Sequence, residues 1–508
     1  MQGTSDPNPE LLDAMAMCGH LVAKDSVHWF LAEHRQRLFP DDMFADLFGS
    51  GRGRPSVPAD VIATVMVLQA LEGLSDRDAV GQLRTNIAWK VAAGRSLDDE
   101  GFHPTVLTLW RNKLRGSERP QRIFDAVREV INATNVLAGK TRRALDSTVL
   151  DDAVIRQDAI MQLVAQIRRV RRVVPAAKAL ELVAHDYDGD TGKPACAWND
   201  RADIDRVVTE LVNDALTILA ALDGIELDDV QAEAVGLLAL VAGQDVEPGD
   251  SDGTWRIARE TRPDRIVSVI DPESRHVHKT TSNYRDGFKA HVAVEPDTGL
   301  VTACELTAGN VGDAQAAPSL LASETDPVEV LADSAYGSGA FRSHLAGQGH
   351  TATIKPIPLT AQIPDGFVID DFTIDLAAMT ATCPNGITVA ISTRSRQARF
   401  MQRCEGCPVR HRCTRSAAGK VLSVHEHHAF LAAARAHALT AAFTEPYRQH
   451  RPMVERTIAW LVRRGGRKVR YRGIDRNQIG LAHRCAAINL RRLINLGVQW
   501  DHTWTLAT

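Results

Sequence analysis

Two short apolar runs, each carrying an aspartate, constrain this chain more than anything else in it. Thr141–Leu150 (TRRALDSTVL) is β-branched and apolar enough for a buried strand, yet Asp146 follows the pair Ala144 and Leu145 inside it. Val328–Ala332 is a compact apolar strand that stops at Asp333, before the glycine-rich turn Ser334–Gly339. Between them, Gly287–Val294 and Leu300–Thr307 flank a Pro-Asp-Thr-Gly turn and predict a β-hairpin. Arg265–Ile270 predicts a strand before that hairpin, Ala316–Ala322 a short helix after it, and Thr351–Lys355 a last strand. The order strand, hairpin, helix, strand, helix, strand describes an α/β fold with a mixed-direction sheet.

The rest of the chain is helical or irregular. Pro58 and Ala59 open an apolar run through Leu71 that stops at Gly73, Ser75 caps a second helix, and Thr105–Leu114 supplies a third. These helices carry Arg77, Arg84, Lys90, Arg111, Lys113 and Arg115, which suits a DNA-docking module and equally a plain helical bundle. Ala159–Ala242 reads as a long helical insertion, basic at Arg168, Arg169, Arg171 and Arg172 and acidic beyond. Tyr447–Arg464 predicts a helix with Val454, Ile458 and Leu461 on one stripe.

With 508 residues, 44% of them hydrophobic, the chain can bury a large core and divide into several units. A net charge of -4 says nothing about nucleic acid by itself, but arginine crowds Arg394–Arg415 and Arg451–Arg492. The longest apolar run is too short for a bilayer, which needs about 20 residues. No basic segment followed by an apolar one opens the chain, so a cytoplasmic protein is expected. Four of the eight cysteines cluster, which points to metal or redox chemistry rather than a disulfide framework.

Each candidate carboxylate has an ordinary alternative when taken alone. Asp146 could cap a strand end, Asp333 could accept turn N–H groups, and Glu455 could pair with Arg451 four residues earlier on a helix surface. Together they suggest more. Magnesium is hard and keeps several waters, so a few converging carboxylates plus a substrate phosphate suffice to hold it. Two such ions can serve in-line displacement at phosphorus. Asp151 and Asp152 are rivals to Asp146, less well placed on the strand.

The motifs ALDSTVLDDAV, DPESRHVHKTTSNYRDGFKAHVAV, TAGNVGDAQ, VLADSAYGSG, CEGCPVRHRCT and RPMVERTIAWLVRRGGRKVRYRG follow one another in this order. Together with FPDDMFADLF and LEGLSDRDAV they resemble the DDE transposases of bacterial insertion sequences, closest to insertion-sequence family 1182, over most of the chain. The resemblance implies an RNase H-like core, magnesium or manganese dependence, cleavage at element ends and strand transfer into double-stranded target DNA by a homodimer or higher oligomer. It implies Asp146, Asp333 and Glu455 as the metal-binding catalytic residues. Its Tyr, Arg and Glu signature is kept at Arg451, whereas Tyr447 stands one residue further off and Val462 replaces a frequent lysine. The expected units are then a helical 1–135, core segments 136–158 and 255–362, a helical insertion 159–254, a Cys-rich insertion 363–440, and a catalytic-helix and basic region 441–508.

Cys404-x2-Cys407 with Cys413, and Cys383 earlier, has the ingredients of a structural zinc site, with His411 as a substitute ligand; a reduced, metal-free loop is the alternative. Arg463, Arg464, Arg467, Lys468, Arg470 and Arg472 follow the Glu helix and suit phosphate contacts, joined by Arg451 and Lys289. Lys289 and His291 share one hairpin face, exposed or turned to a groove. Two rival functions remain: an RNase H-like nuclease that only hydrolyses, and a decayed or co-opted DNA-binding protein.

Overall fold

The computed structural model describes residues 1–6, 11–49, 51–260, 262, 264–280 and 283–507. The N-terminal region contributes helices α1 (Val27–Leu38), α2 (Ala59–Glu72), α3 (Asp76–Thr85), α4 (Ile87–Ala93), α5 (Thr105–Arg115) and α6 (Arg122–Ala133). The α2 residues from Ala59 to Gln69 are all buried, because neighbouring helices surround it rather than covering a single stripe. Gly73 ends it in the left-handed conformation, and the Ser75 hydroxyl accepts the Asp78 N–H to start α3.

The central sheet begins with β1 (Arg142–Asp151) and continues with β2 (Arg275–Thr280), β3 (Asn283–Glu295) and β4 (Leu300–Ala308). Helix α10 (Asp313–Leu320), strand β5 (Glu329–Ala332), helix α11 (Gly339–Gly347) and strand β6 (Thr351–Ile354) complete it. In between, the insertion folds as α7 (Ala159–Val173), α8 (Arg201–Ala221) and α9 (Asp229–Gln244). Strand β3 pairs antiparallel with β1 on one side and with β2 and β4 on the other; β1, β5 and β6 run parallel. The fold is thus mixed α/β, as the sequence order implied.

Alternation sends the two faces of the sheet into different cores. Ala144, Leu150, Phe288, Val292 and Leu331 join the N-terminal helices and two C-terminal ones, α13 (Ala441–Val462) and α14 (Ile474–Asn495), which follow the short α12 (His428–Ala438). Leu145, Ala293, Val330 and Ala332 face the other way, onto α10 and α11. The N-terminal helices therefore share a core with the sheet. The insertion has its own core from α7, α8 and α9, and the Cys-bearing region a small one around Phe372 and Phe400.

Three local expectations change. The helical insertion is broken into three helices, and the start of the acidic stretch, before α8, is an irregular loop whose Asp188 holds Arg171. Arg265–Ile270 is no ladder strand. Glutamines take its backbone instead: Ile266 O accepts from Gln162, Ile266 N donates to Gln244, and Val269 N donates to Gln157. The basic C-terminal tract contains α14, a helix mostly buried on β4, where Asn489 pairs with both backbone groups of Val301 at 2.7 and 2.8 Å. Gln478 accepts the Leu306 N–H, so α14 covers an edge that would otherwise expose unpaired groups.

Gly73 and Gly224 both hold left-handed backbone, but only at Gly73 would a Cβ strike another chain segment, the Arg464 carbonyl. Gly224→Ala should cost about 1–2 kcal/mol for the backbone alone. Gly73→Ala should add about 1–3 kcal/mol of overpacking, read as a lower urea midpoint.

Candidate active site

Strand geometry brings Asp146 and Asp333 together. Ala144 registers with Leu331 across the parallel pair β1 and β5, and each aspartate lies two residues further along. Two residues restore the same face, so both carboxylates point from neighbouring strands, about 4.8 Å apart, toward the side covered by α13. Asp333 falls just past β5, where its carboxylate accepts the Ala335 N–H at 2.9 Å and caps a short 3-10 turn.

Arg451 enters between them from α13. Its Nη2 lies 3.1 Å from Asp146 and 4.0 Å from Asp333, and its side chain is 5% exposed, so water screens the bridge little. Burial raises the Asp146 carboxyl above its usual range, with Arg451 pulling the other way and Asp333 adding to the rise. The Arg451 Nε and Nη1 are buried, with the Tyr447 phenol as the neighbouring group that interacts with the guanidinium. Glu455 stands one turn along on the same side, exposed and without a cation at ion-pair distance among the described residues. Burial raises the phenol of Tyr447, one turn before Arg451, with Arg451 pulling the other way by charge and hydrogen bonding and Asp333 and Glu455 adding to the rise.

The opposite face of the sheet carries a second polar layer that sequence reasoning missed. Lys289 and His291 do share a face, but α10 covers it: Lys289 Nζ lies 2.9 Å from Asp313 and donates to Val311 O at 2.7 Å. His291 is fully buried, donates to or accepts from Thr307 at 3.0 Å, and is held neutral to lower pH by that burial. Tyr336, three residues after Asp333, is buried within the field of Asp313, Asp146 and Asp333. Burial and those carboxylates push its phenol well above the ordinary value. The signal for Tyr336 was its position in the turn after Asp333; that for Asp313 was its place at the head of α10.

Of the basic tract, Arg463, Arg464, Lys468, Arg470 and Arg472 are exposed. Arg467 is partly structural, donating to Thr148 and to Val149 O, while its own carbonyl accepts from Asp151 N at 2.7 Å. Arg464 and Arg470 donate to the carbonyls of Leu71 and Gly73, tying the tract to α2. Among the N-terminal cations, Arg111 pairs with Asp76, Lys90 is buried on Ser96 O and Asp99 O, and Lys113 donates to Leu47 O. Asp151 pairs with Arg285 at 2.7 Å and Asp152 accepts from Ser274, so both rivals to Asp146 are engaged elsewhere.

Cys383, Cys404, Cys407 and Cys413 line one cavity of about 20 Å³, and Cys404 accepts the Lys420 N–H at 3.5 Å. Burial, Lys420 and the other three thiols act on Cys413, and its thiol is pushed up. Among the described residues no group of three or more His, Cys, Asp or Glu side chains is gathered to hold a metal ion. That holds for the four thiols, which a closed structural zinc site would need together, and equally for Asp146, Asp333 and Glu455, of which the structure brings only the two aspartates to one cation. Magnesium asks less, one or two carboxylates with waters and phosphate, and the Asp146–Asp333 pair fits that donor set.

Residues 382–494 match the family model described as Transposase DDE domain, and residues 23–113 the one described as Transposase domain (DUF772). The first match includes Arg451, Glu455 and the basic tract but begins after both aspartates. The two matches support a DDE transposase, a family that acts on DNA. No curated protein and no solved structure matched the chain. No helix among the described residues is long and apolar enough to cross a membrane.

Removing Arg451 should leave two carboxylates facing each other. Arg451→Leu is expected to lose about 3–5 kcal/mol at pH 7 by urea unfolding. The Asp146 carboxyl is already raised. A raised acid contributes stability below its unfolded value and loses it as pH rises, so the Arg451→Leu deficit should shrink toward pH 4. A deficit independent of pH would rule out carboxylate repulsion as its cause.

Proposed function

We propose that this chain is a DNA transposase of the insertion-sequence 1182 type, cutting element ends and transferring the freed strand into target DNA on an RNase H-like core. One observation carries the reading: two aspartates on the same face of adjacent parallel strands, bridged by Arg451, with Glu455 a helical turn away. A mixed sheet with an antiparallel hairpin beside β1 and parallel strands on its other edge is compatible with that core.

In this reading Asp146 and Asp333 hold the divalent ions, magnesium or manganese, and Glu455 turns in from its exposed position to join them. When bound there, such ions polarise the attacking oxygen and stabilise the leaving one during displacement at phosphorus. Arg451 presents its guanidinium to a non-bridging phosphate oxygen, binding the strand while its Nη2 keeps the aspartates apart. Arg463, Lys468 and Arg472 supply further phosphate contacts from the exposed tract. Lys289 is assigned to holding Asp313 rather than to DNA, because its charge is already matched. The mechanism does not call on zinc.

Asp146→Ala, Asp333→Ala and Glu455→Ala should each lose cleavage of terminal element DNA by at least about 100-fold, following the scale of removing one stabilising group from a reacting centre. Gel shift should show duplex binding retained. Cleavage at full rate by any of the three would remove that residue from the site. Products that are hydrolysed but never joined to target would leave the nuclease reading instead.

A further inference from the structure

A cavity of about 280 Å³ lies between α2, the end of α13 and α14. Five arginines, Arg463, Arg464, Arg484, Arg491 and Arg492, line it with one aromatic, Trp460, and no aspartate or glutamate does. Three of the guanidiniums donate to backbone carbonyls, Arg464 to Leu71 O among them, and Arg492 also lies over the Trp460 ring at 5.8 Å. Arg484 Nη1 donates to Leu461 O at 2.6 Å and to Arg463 O at 3.2 Å, and Arg492 Nε donates to Thr298 O at 2.7 Å. Gly466 makes room for this, since a Cβ there would collide with the Arg484 guanidinium. Arg463, Arg464 and Arg491 are exposed, and none of the five joins an ion pair among the described residues. Glu72 is drawn down in part by Arg464 without pairing with it.

Carbonyl oxygens satisfy N–H groups but do not cancel charge. Burial lowers Arg484 to about 10, with Arg470 adding repulsion, and it lowers Arg492 as well. Half-buried cations crowded around one hollow without a counter-ion are costly unless an anion completes them. A volume of 280 Å³ is at the small end of ligand sites, usually about 300–1,000 Å³, and suits a phosphate with its sugar rather than a duplex.

We propose that this cavity is a phosphate-binding pocket for the DNA backbone, in which Arg484 and Arg492 form a fixed floor and Arg463, Arg464 and Arg491 close on the phosphodiester. The proposal rests on the transposase reading for its DNA partner and extends it to Arg484, Arg491, Arg492 and Trp460. The pocket begins five residues after Glu455, about 8 Å of helix rise, which a strand spans in a few nucleotides. It would hold the strand beside the carboxylates without touching the reacting phosphate.

The test is binding of a labelled duplex to the full chain over a salt series, by fluorescence anisotropy. Each phosphate contact contributes about 0.9 to the slope of log affinity against log salt. Arg491→Gln should lower that slope by about 1, and Arg463→Gln with Arg491→Gln by about 2. Affinity of the double variant near 0.1 M salt should fall about 10-fold or more, whereas Arg206→Gln on the insertion should change neither quantity. Wild-type affinity and slope in the double variant would overturn the proposal. If inorganic phosphate still changed wild-type fluorescence, and Trp460→Phe abolished that change, the pocket would be one for free phosphate compounds instead. Absence of salt-dependent DNA affinity in the wild type would overturn this proposal and the transposase reading together.

Discussion

Two aspartates on one face of neighbouring parallel strands, Asp146 within β1 and Asp333 just past β5, repel each other, and the sheet can keep them there only if a cation comes between. Arg451 is that cation, 3.1 Å from one and 4.0 Å from the other. Because it arrives from α13, the bridge also sets the rotation of that helix. With Arg451 turned inward, Val454 and Leu461 fall on the buried side, and Glu455, one turn after Arg451, is exposed to solvent. The chain after α13 inherits this placement. Residues 467–469 dock on the end of β1 through the Arg467 carbonyl and the Val469 N–H.

That docking joins regions far apart in sequence. Arg464 and Arg470 reach the last carbonyls of α2, and Gly73 must lack a side chain because the Arg464 backbone lies against it. The N-terminal helices are therefore held to the site on two sides, by the shared apolar core and by these contacts. Helix α14 closes the arrangement by pairing Asn489 and Gln478 with the backbone of β4. A displacement of α13 would disturb all three.

Much of this was legible in the sequence where the signal was local. The hairpin of β3 and β4 announced itself by two apolar runs around a turn, and Asp333 by an apolar run that stops. Partnership was not legible. That Ala144 sits beside Leu331 depends on a parallel register between segments almost two hundred residues apart, which no local pattern encodes. Alternation showed that Lys289 and His291 share a face, but only α10 decides that the face is covered. Helix α14 was hidden because Arg484, Arg491 and Arg492 interrupt its apolar stripe, their stems lying along the protein while their heads seek carbonyls or solvent. Arg265–Ile270 looked like a strand for the opposite reason: it is apolar and extended, yet glutamine side chains replace the ladder.

The same arithmetic explains why whole-chain charge was uninformative. The insertion is strongly acidic, with eighteen acids against eight arginines and lysines over 159–254, and it engages several of its own cations, with Arg171 on Asp188, Arg169 on Glu233 and Arg206 on Glu210. Asp214, buried within it, is satisfied by Tyr187 and two backbone N–H groups. Of the N-terminal cations, Arg111, Arg95 and Lys90 are engaged on Asp76, Asp99 and carbonyl oxygens, whereas Arg77 and Arg115 are exposed. Around the sheet the two signs lie close together: Asp146 and Asp333 bridged by Arg451, and an arginine-rich margin along the end of α13 and α14. A net charge of -4 is the sum of these unlike parts. A polyanion approaching such a surface is repelled by the centre and held by the margin. Its phosphates can approach the aspartates only where a cation stands between, which is the position that Arg451 occupies.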